Sequence, residues 1–194
     1  MSRRHGVVQR DSAETRLRCE VVLDSGRRVE AATNLPFLNH MLEQTARYGC
    51  FDLILTGRGD VDVDPHHLME DAGIVLGQAL SRALGDRRGI ARFAHAYAPL
   101  DESLSRVVVD LGKRPYLAYH LDVTGRIGEL ESETFEEWWR AFSIHLGATI
   151  HVDLIRGLNR HHKVESAYKA LGLALRQAVA VEGDSLPSSK GILG

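Results

Sequence analysis

The chain has 194 residues, 24 basic against 26 acidic side chains and a formal net charge of -2. That length allows a substantial buried core, while the charge balance excludes a broad Lys/Arg surface for nucleic acid or anionic membrane. No apolar run approaches the roughly 18 residues of a membrane span. The basic N-terminal stretch is not followed by the apolar segment of a secretory signal, and two cysteines, Cys19 and Cys50, make no disulfide framework. A reducing cytoplasm is the expected compartment. One count stands out: ten residues are histidine.

In chain order, Leu17, Cys19, Val21 and Leu23 alternate with Arg16, Arg18 and Glu20, which predicts a half-buried strand over Thr15 to Leu23. Asp24-Ser25-Gly26 turns it into a second strand near Arg27 to Thr33. Leu38, Met41, Leu42 and Thr45 then have helical spacing up to Tyr48, closed by Gly49. A short strand follows over Phe51 to Thr56, and a long helix runs from Pro65 to about Leu84, stopped by Gly85. Beyond it, strands are predicted near Ala91 to Tyr97, Ser105 to Leu111 and Tyr116 to Leu121. A helix from about Thr134 to Leu146, a strand over Thr149 to Ile155 and a helix from about Arg160 to Val181 complete the pattern. The segment Glu182 to Gly194 is polar and rich in Gly, Ser and Pro, the composition of a disordered tail.

The order strand-strand-helix-strand-helix thus occurs twice, within 1–90 and 91–181, with 182–194 as a tail. We expect a single compact α/β domain, internally duplicated, in which two β-sheets sandwich a four-helix layer. The repeat carries chemistry. His40 precedes His66-His67-x-x-Glu70, and Glu137 precedes His161-His162-x-x-Glu165, so that His40 answers to Glu137 and the two His-His-x-x-Glu motifs answer to one another. On a helix, the first histidine and the glutamate four residues later share a face while the second histidine points around the barrel. One copy alone is more often a solvated helix start, where Glu favours the helix dipole. Solvated faces have no reason to repeat the triplet. Imidazole and carboxylate without thiolate suit Mn, Fe or Zn in catalytic sites with open positions, and these eight side chains are enough for two ions.

Arg92, Arg114, Ser188, Ser189 and Lys190 are candidates for clamping a phosphate, since guanidinium offers paired donors and hydroxyls add short hydrogen bonds. His151, in a strand, reads as a residue packed beside the site; His5, His95, His120 and His145 carry no spacing signal.

The stretches LPFLNHMLEQTARYG, DPHHLMEDAGIVLGQAL, GIARFAHAYAPLDESL, VDLGKRPYL, NRHHKVESAYKALGLALRQAV and PSSKGIL closely resemble the imidazoleglycerol-phosphate dehydratase family, from about Arg10 to Leu193. The resemblance implies a manganese-dependent hydro-lyase of histidine biosynthesis, with two Mn²⁺ per subunit, that converts the phosphorylated imidazole substrate imidazoleglycerol phosphate to imidazoleacetol phosphate. It further implies a homo-oligomeric shell of 24 subunits with sites between neighbours. Residue by residue, it places metal ligands on His40, His66, His67, Glu70, His161, His162 and Glu165. Glu137 stands where the family often has His, and joins the ligand set through the internal repeat. The family's acid/base glutamate falls on Glu14, and its phosphate contacts on Arg92, Arg114, Ser188, Ser189 and Lys190. The implied chemistry is metal-bound imidazolate expelling a neighbouring hydroxyl while Glu14 moves a proton on the glycerol chain. The alternatives are a metal-dependent hydrolase and a non-catalytic metal-binding oligomer.

Overall fold

Two four-stranded sheets of the same topology are built from the alternating segments. The structure is a computed structural model that describes residues 4–25 and 28–194; Gly26 of the predicted turn and Arg27 at the predicted strand start lie outside the described residues. The first half runs β1 (His5–Asp11), β2 (Thr15–Val22), β3 (Val29–Ala32), α1 (Pro36–Gly49), β4 (Asp52–Gly59) and α2 (His66–Leu84). The second runs β5 (Phe93–Leu100), β6 (Ser103–Asp110), β7 (Tyr116–His120), a small hairpin of β8 (Arg126–Ile127) and β9 (Leu130–Glu131), α3 (Glu133–Leu146), β10 (Thr149–Arg156) and α4 (Arg160–Ala178). One sheet has the order β1-β2-β4-β3 and the other β5-β6-β10-β7. In each, three strands pair antiparallel and the last pairs parallel.

The strands bury what their alternation promises. Leu17, Cys19 and Val21 of β2 are buried while Arg16 and Arg18 are exposed. Burial pushes the Cys19 thiol far above its ordinary range, so it is an inert core group. Several elements depart from expectation, the unpredicted β8–β9 hairpin among them. The first half opens with β1, which alternation misses because only Gly6 and Val8 of that strand are buried; each half therefore places a third strand ahead of its first helix. β5 begins at Phe93 rather than Ala91, because Arg92 has a left-handed backbone, φ 72°. α4 ends at Ala178 rather than Val181, beyond which Val181 forms a bridge with Ile90.

Between the sheets the helices pair across the halves, α1 with α4 and α2 with α3. Small residues permit the close approach: a Cβ on Gly172 would stand 2.5 Å from the Thr45 carbonyl oxygen, and one on Gly73 2.6 Å from that of Trp138. One α-turn further along α2, Gly77 meets Phe142 and Leu146, so the partners in this pair run in the same direction. In the other pair the Thr45 hydroxyl donates to the Tyr168 carbonyl while His40 lies beside Glu165, again a parallel advance. Trp138 stacks on Phe142 at 5.0 Å and 10°, and packs against Tyr168 at 4.8 Å, at the centre of the layer.

The C-terminal ends of α2, α3 and α4 gather at one end of the molecule. The buried Arg87, just after α2, donates from Nη1 to the Leu111 and Gly147 carbonyls at 2.8 Å and from Nη2 to that of Leu146. This satisfies carbonyls that α3 leaves unpaired, and burial pushes the guanidinium down to about 10. Arg4, beside the start of β1, donates to the Val179 carbonyl at the end of α4, and Gly6 of β1 abuts Ala79 and Ala83 of α2. The opposite end therefore holds the helix N-termini of α2 and α4, together with the β1–β2 and β5–β6 hairpins.

Candidate active site

At that opposite end α1 presents His40 toward the first turn of α4. The Asn159 side chain caps α4 by accepting from the His162 amide at 3.2 Å, which starts the helix so that His161 and Glu165 share a face. Glu165 Oε2 lies 2.8 Å from His161 Nε2 and 3.2 Å from His40 Nε2. The ligand atoms of His40, His161 and Glu165 all lie within 4.8 Å of one another, and among the described residues no other such group forms. Phe37 packs edge-on against the His161 ring at 5.0 Å, and Gln44 Nε2 is 3.4 Å from His40 Nδ1. Glu165 is 7% exposed, and Lys169 donates to its other oxygen at 2.8 Å. Burial pushes the Glu165 carboxyl upward, but hydrogen bonds from Lys169, His161 and His40 outweigh it and hold the group below its ordinary range. Two imidazole nitrogens converging on an anionic oxygen form a donor set that fits a divalent ion such as Mn²⁺.

These three side chains come from different halves. His40 belongs to the first and the His161/Glu165 pair to the second, so the exchange of helix partners assembles the group. By the repeat, Glu137 of α3 should meet His66 and Glu70 of α2, and the two helices are in close contact at Trp138 and Gly73. Glu137 is instead held by Arg140 Nη1, at 2.8 and 3.0 Å from its two oxygens. Glu137, His66, His67, Glu70 and His162 are not drawn into a second cluster.

The second histidine of each pair points away from the first, with rings 6.1 Å apart at 87° for His66 and His67 and at 81° for His161 and His162. Each meets carboxylates from the adjoining loops. His67 Nδ1 is 3.1 Å from Asp60, and its Nε2 is 3.7 Å from Glu14 Oε1. His162 Nδ1 is 2.7 Å from Glu102, and its Nε2 is 3.8 Å from Asp101. Hydrogen bonding to Asp60 raises His67 above the usual imidazole range, and the same interaction with Glu102 raises His162. Glu102 itself is driven far below the ordinary carboxylate range, first by His162 and then by the Asn159 and Leu158 amides.

Glu14 occupies the β1–β2 turn, where its amide and that of Thr15 donate to Ser12 Oγ at 3.2 and 3.0 Å. Thr15 is tied to Asp71 of α2 through its hydroxyl, so the turn is anchored while the Glu14 side chain stays about half exposed. Asp60, Glu102 and Lys169 were not singled out from the sequence. Aligning the turn before β6 with the turn before β2 would have paired Glu102 with Glu14.

All five anion candidates gather at the other end of the molecule. Arg92, Arg114, Ser188, Ser189 and Lys190 line a cavity of about 110 Å³ together with Gly112. Arg92 is held by Asp110 at 2.6 and 3.1 Å and by the Pro187 carbonyl at 2.7 Å, whereas Arg114 reaches Asp110 only at 3.8 Å and is largely exposed. The Ser188 hydroxyl closes a turn on Ile192. The tail is led there by pairing with Gly89, whose amide donates to Ser185 and whose carbonyl accepts from Glu182, each at 2.8 Å. Gly89 has φ +73°, and a Cβ on it would stand 1.9 Å from the Gly183 carbonyl oxygen. The C-terminal segment is therefore part of this cavity, in contrast to the disordered tail its composition suggests.

Arg92 donates its amide to Ala178 at the end of α4, whereas His161 lies in the first turn of the same helix. The separation is about 25 Å at ~1.5 Å per helical residue. β6 gives a similar span of about 26 Å, at ~3.3 Å per residue, between Glu102 and Asp110. Within one chain, the histidine cluster and the anion cavity are at opposite ends.

Comparison with known proteins agrees with the resemblance seen in the sequence. The model of the family "imidazoleglycerol-phosphate dehydratase" matches residues 33–175. The chain is 49% identical over 190 residues to the imidazoleglycerol-phosphate dehydratase of Thiobacillus denitrificans, covering 96% of this chain and 97% of the relative. It is 47% identical over 197 residues to that of Alkalilimnicola ehrlichii, covering 100% of both. Its fold matches the crystal structure of IGPD from Pyrococcus furiosus in complex with (S)-C348, with a TM-score of 0.85 and 35% identity over 96% of this chain and 100% of the other. The Staphylococcus aureus imidazoleglycerol-phosphate dehydratase matches with a TM-score of 0.80 and 35% identity over 91% and 99%.

Proposed function

Given that the chain belongs to the imidazoleglycerol-phosphate dehydratase family, we propose that it is the Mn²⁺-dependent hydro-lyase that converts imidazoleglycerol phosphate to imidazoleacetol phosphate in histidine biosynthesis. The observation that carries the metal dependence is the convergence of His40, His161 and Glu165. These three would hold one of two ions per subunit, and His66, His67, Glu70, Glu137 and His162 would serve the remaining coordination. When bound, Mn²⁺ supplies Lewis acidity toward the substrate's imidazole ring, making loss of the adjacent hydroxyl feasible.

The chain's own groups do the rest. Glu14, with its carboxylate about half exposed and 3.7 Å from His67 Nε2, takes the proton from the middle carbon of the glycerol chain. The hydroxyl next to the ring leaves with a second proton as water, and the enol so formed tautomerises to the ketone. General acid/base catalysis of this kind contributes about 10²- to 10⁴-fold. Arg92, Arg114, Ser188, Ser189 and Lys190 bind the phosphate, using binding energy away from the reacting carbons to fix their position. Asp110 keeps the Arg92 guanidinium aligned.

The roughly 25 Å along α4 between His161 and the Arg92 end supports an assembly in which one subunit's anion cavity faces a neighbour's histidine end. A three-carbon chain between ring and phosphate cannot bridge both ends of one chain. The reading therefore includes a homo-oligomer, the 24-subunit shell implied by the family, with shared sites. The reading also includes a cytoplasmic location, as expected for a biosynthetic enzyme of this family.

The test is turnover of imidazoleglycerol phosphate by the purified, Mn-loaded protein. Ketone should appear without release of inorganic phosphate, and Glu14→Gln should lose about 10²-fold or more in kcat while retaining bound Mn. Phosphate release would favour the hydrolase, and metal binding without turnover the non-catalytic oligomer. Full activity in Glu14→Gln would remove Glu14 from the mechanism.

A further inference from the structure

The internal repeat makes the two hairpins at the histidine end equivalent. Glu14 immediately precedes β2 and Glu102 immediately precedes β6, and each faces the second histidine of its own half. Their surroundings have diverged. Glu102 Oε1 accepts from the Leu158 and Asn159 amides at 3.1 and 2.8 Å and from the Ser103 hydroxyl at 3.1 Å. Its Oε2 sits 2.7 Å from His162 Nδ1. Both oxygens are engaged, so this carboxylate is held in place by the loop amides and His162. Among the described residues, the Glu14 carboxylate makes no comparable set of contacts. The Nδ1 of its histidine, His67, is taken by Asp60 at 3.1 and 3.3 Å.

In both halves, then, a carboxylate engages Nδ1 of the second histidine, and Nε2 is the nitrogen left for another partner. A ligating histidine typically donates its other ring N–H to such an outer carboxylate, which sets the tautomer and the ring orientation. We infer that Glu102 and Asp60 are positioning residues that hold His162 and His67 with Nδ1 protonated and the Nε2 lone pair free for a metal ion. By the same inference, Asp60 took over the orienting task in the first half, which released Glu14 for proton transfer. The duplicated glutamates have thus divided two roles between them. This inference rests on the reading of His67 and His162 as metal ligands.

Glu102→Gln separates orientation from simple loop capping. The Gln Oε1 can still accept from the Leu158 and Asn159 amides, which turns its NH₂ toward His162 Nδ1. Nδ1 must then act as acceptor, and the proton moves to Nε2. Asp60→Asn places the same demand on His67. Two readouts apply. Titration of free Mn²⁺ by electron paramagnetic resonance should show affinity reduced about 10- to 100-fold in each variant. Isotope-labelled histidine spectra of the metal-free chain should show His162 changing from the Nδ1–H to the Nε2–H tautomer in Glu102→Gln. Unchanged Mn affinity together with an unchanged tautomer would overturn the proposal, and a lower melting temperature alone would make Glu102 a loop cap only. A wild-type chain that binds no Mn²⁺ would instead refute the functional reading, and the tautomer spectra would still decide whether Glu102 orients His162.

Discussion

Replacing Glu165 by Gln tests the electrostatics of the histidine cluster without creating a cavity. The substitution preserves shape but removes the charge that Lys169 Nζ meets at 2.8 Å, where the Lys and Glu side chains are only 13% and 10% exposed. The ammonium's other neighbour is the Tyr48 ring at 5.7 Å, a weak substitute. Removing one partner of a buried ion pair costs about 3–5 kcal/mol. Gln still offers a neutral acceptor, and a hydrogen bond to a charged group is worth about 1.5–3 kcal/mol; a net loss of about 2 kcal/mol follows. For a chain of this size each kcal/mol moves Tm by about 2–4 °C, so Tm should fall by roughly 4–8 °C. The assay is calorimetry in chelator, at neutral pH and fixed protein concentration. Glu165 has a lowered folded-state pKa, so its contribution is present above the unfolded value and is lost as pH falls through the folded one. Adding Lys169→Met to Glu165→Gln should recover most of the loss, because the orphaned charge is gone. An unchanged Tm in Glu165→Gln, or a loss that persists with Lys169→Met, would refute the reasoning. With Mn²⁺ present the gap between wild type and variant should widen, since binding to the folded state adds stability by mass action.

Gly73→Ala puts a Cβ 2.6 Å from the Trp138 carbonyl oxygen, forcing α2 and α3 apart; overpacking costs about 1–3 kcal/mol, and an unaltered melting curve would show that the helices yield freely. Gly89→Ala combines a left-handed φ of +73° with a 1.9 Å approach to Gly183, so it should displace the tail and raise KM more than it lowers kcat. Deleting Ser188 to Gly194 should act in the same direction, and steady-state kinetics on either variant with an unmoved KM would detach the tail from phosphate binding. Asp60 and Glu102 raise His67 and His162 above the ordinary 6.5. In the metal-free protein these pairs stabilise fully below that value, and their contribution is lost as pH rises through the raised values. Mn²⁺ requires neutral imidazole, so its affinity should climb over the same interval with proton release on binding; calorimetric titration in buffers of different ionisation enthalpy would show this, and pH-independent affinity would contradict it.

The histidine chemistry was readable because it is local and repeated. A helix puts residues four apart on one face whatever surrounds it, so the pairing of His161 with Glu165 needed no tertiary knowledge, and its recurrence at His66 and Glu70 is what favoured a metal-binding reading over a solvated turn. Alternation likewise exposed β2, whose apolar and charged residues strictly alternate. β1 escaped because it buries too little side chain to show a period. Glu102 escaped because it binds across 60 residues to His162, and such a contact leaves no spacing signal. The tail escaped for a related reason: its composition matches a disordered terminus, and what orders it is backbone pairing with Gly89.

The sequence by itself determined most of the elements, the duplication and the types of donor present, since these depend on periodicities of a few residues and on side-chain chemistry. Only the tertiary structure decided which donors meet. The repeat states that His40 and Glu137 are equivalent, but equivalence does not say what either one faces; close approach at Gly73 and Gly172 pairs each helix with one from the other half, and this brings His40 to Glu165. The shared direction of the paired helices, with helix ends gathered around Arg87 and Arg4, sends the anion cavity to the end opposite the histidines. That separation cannot be read from spacing along the chain. It is the physical reason why the proposed function includes a second subunit at each site.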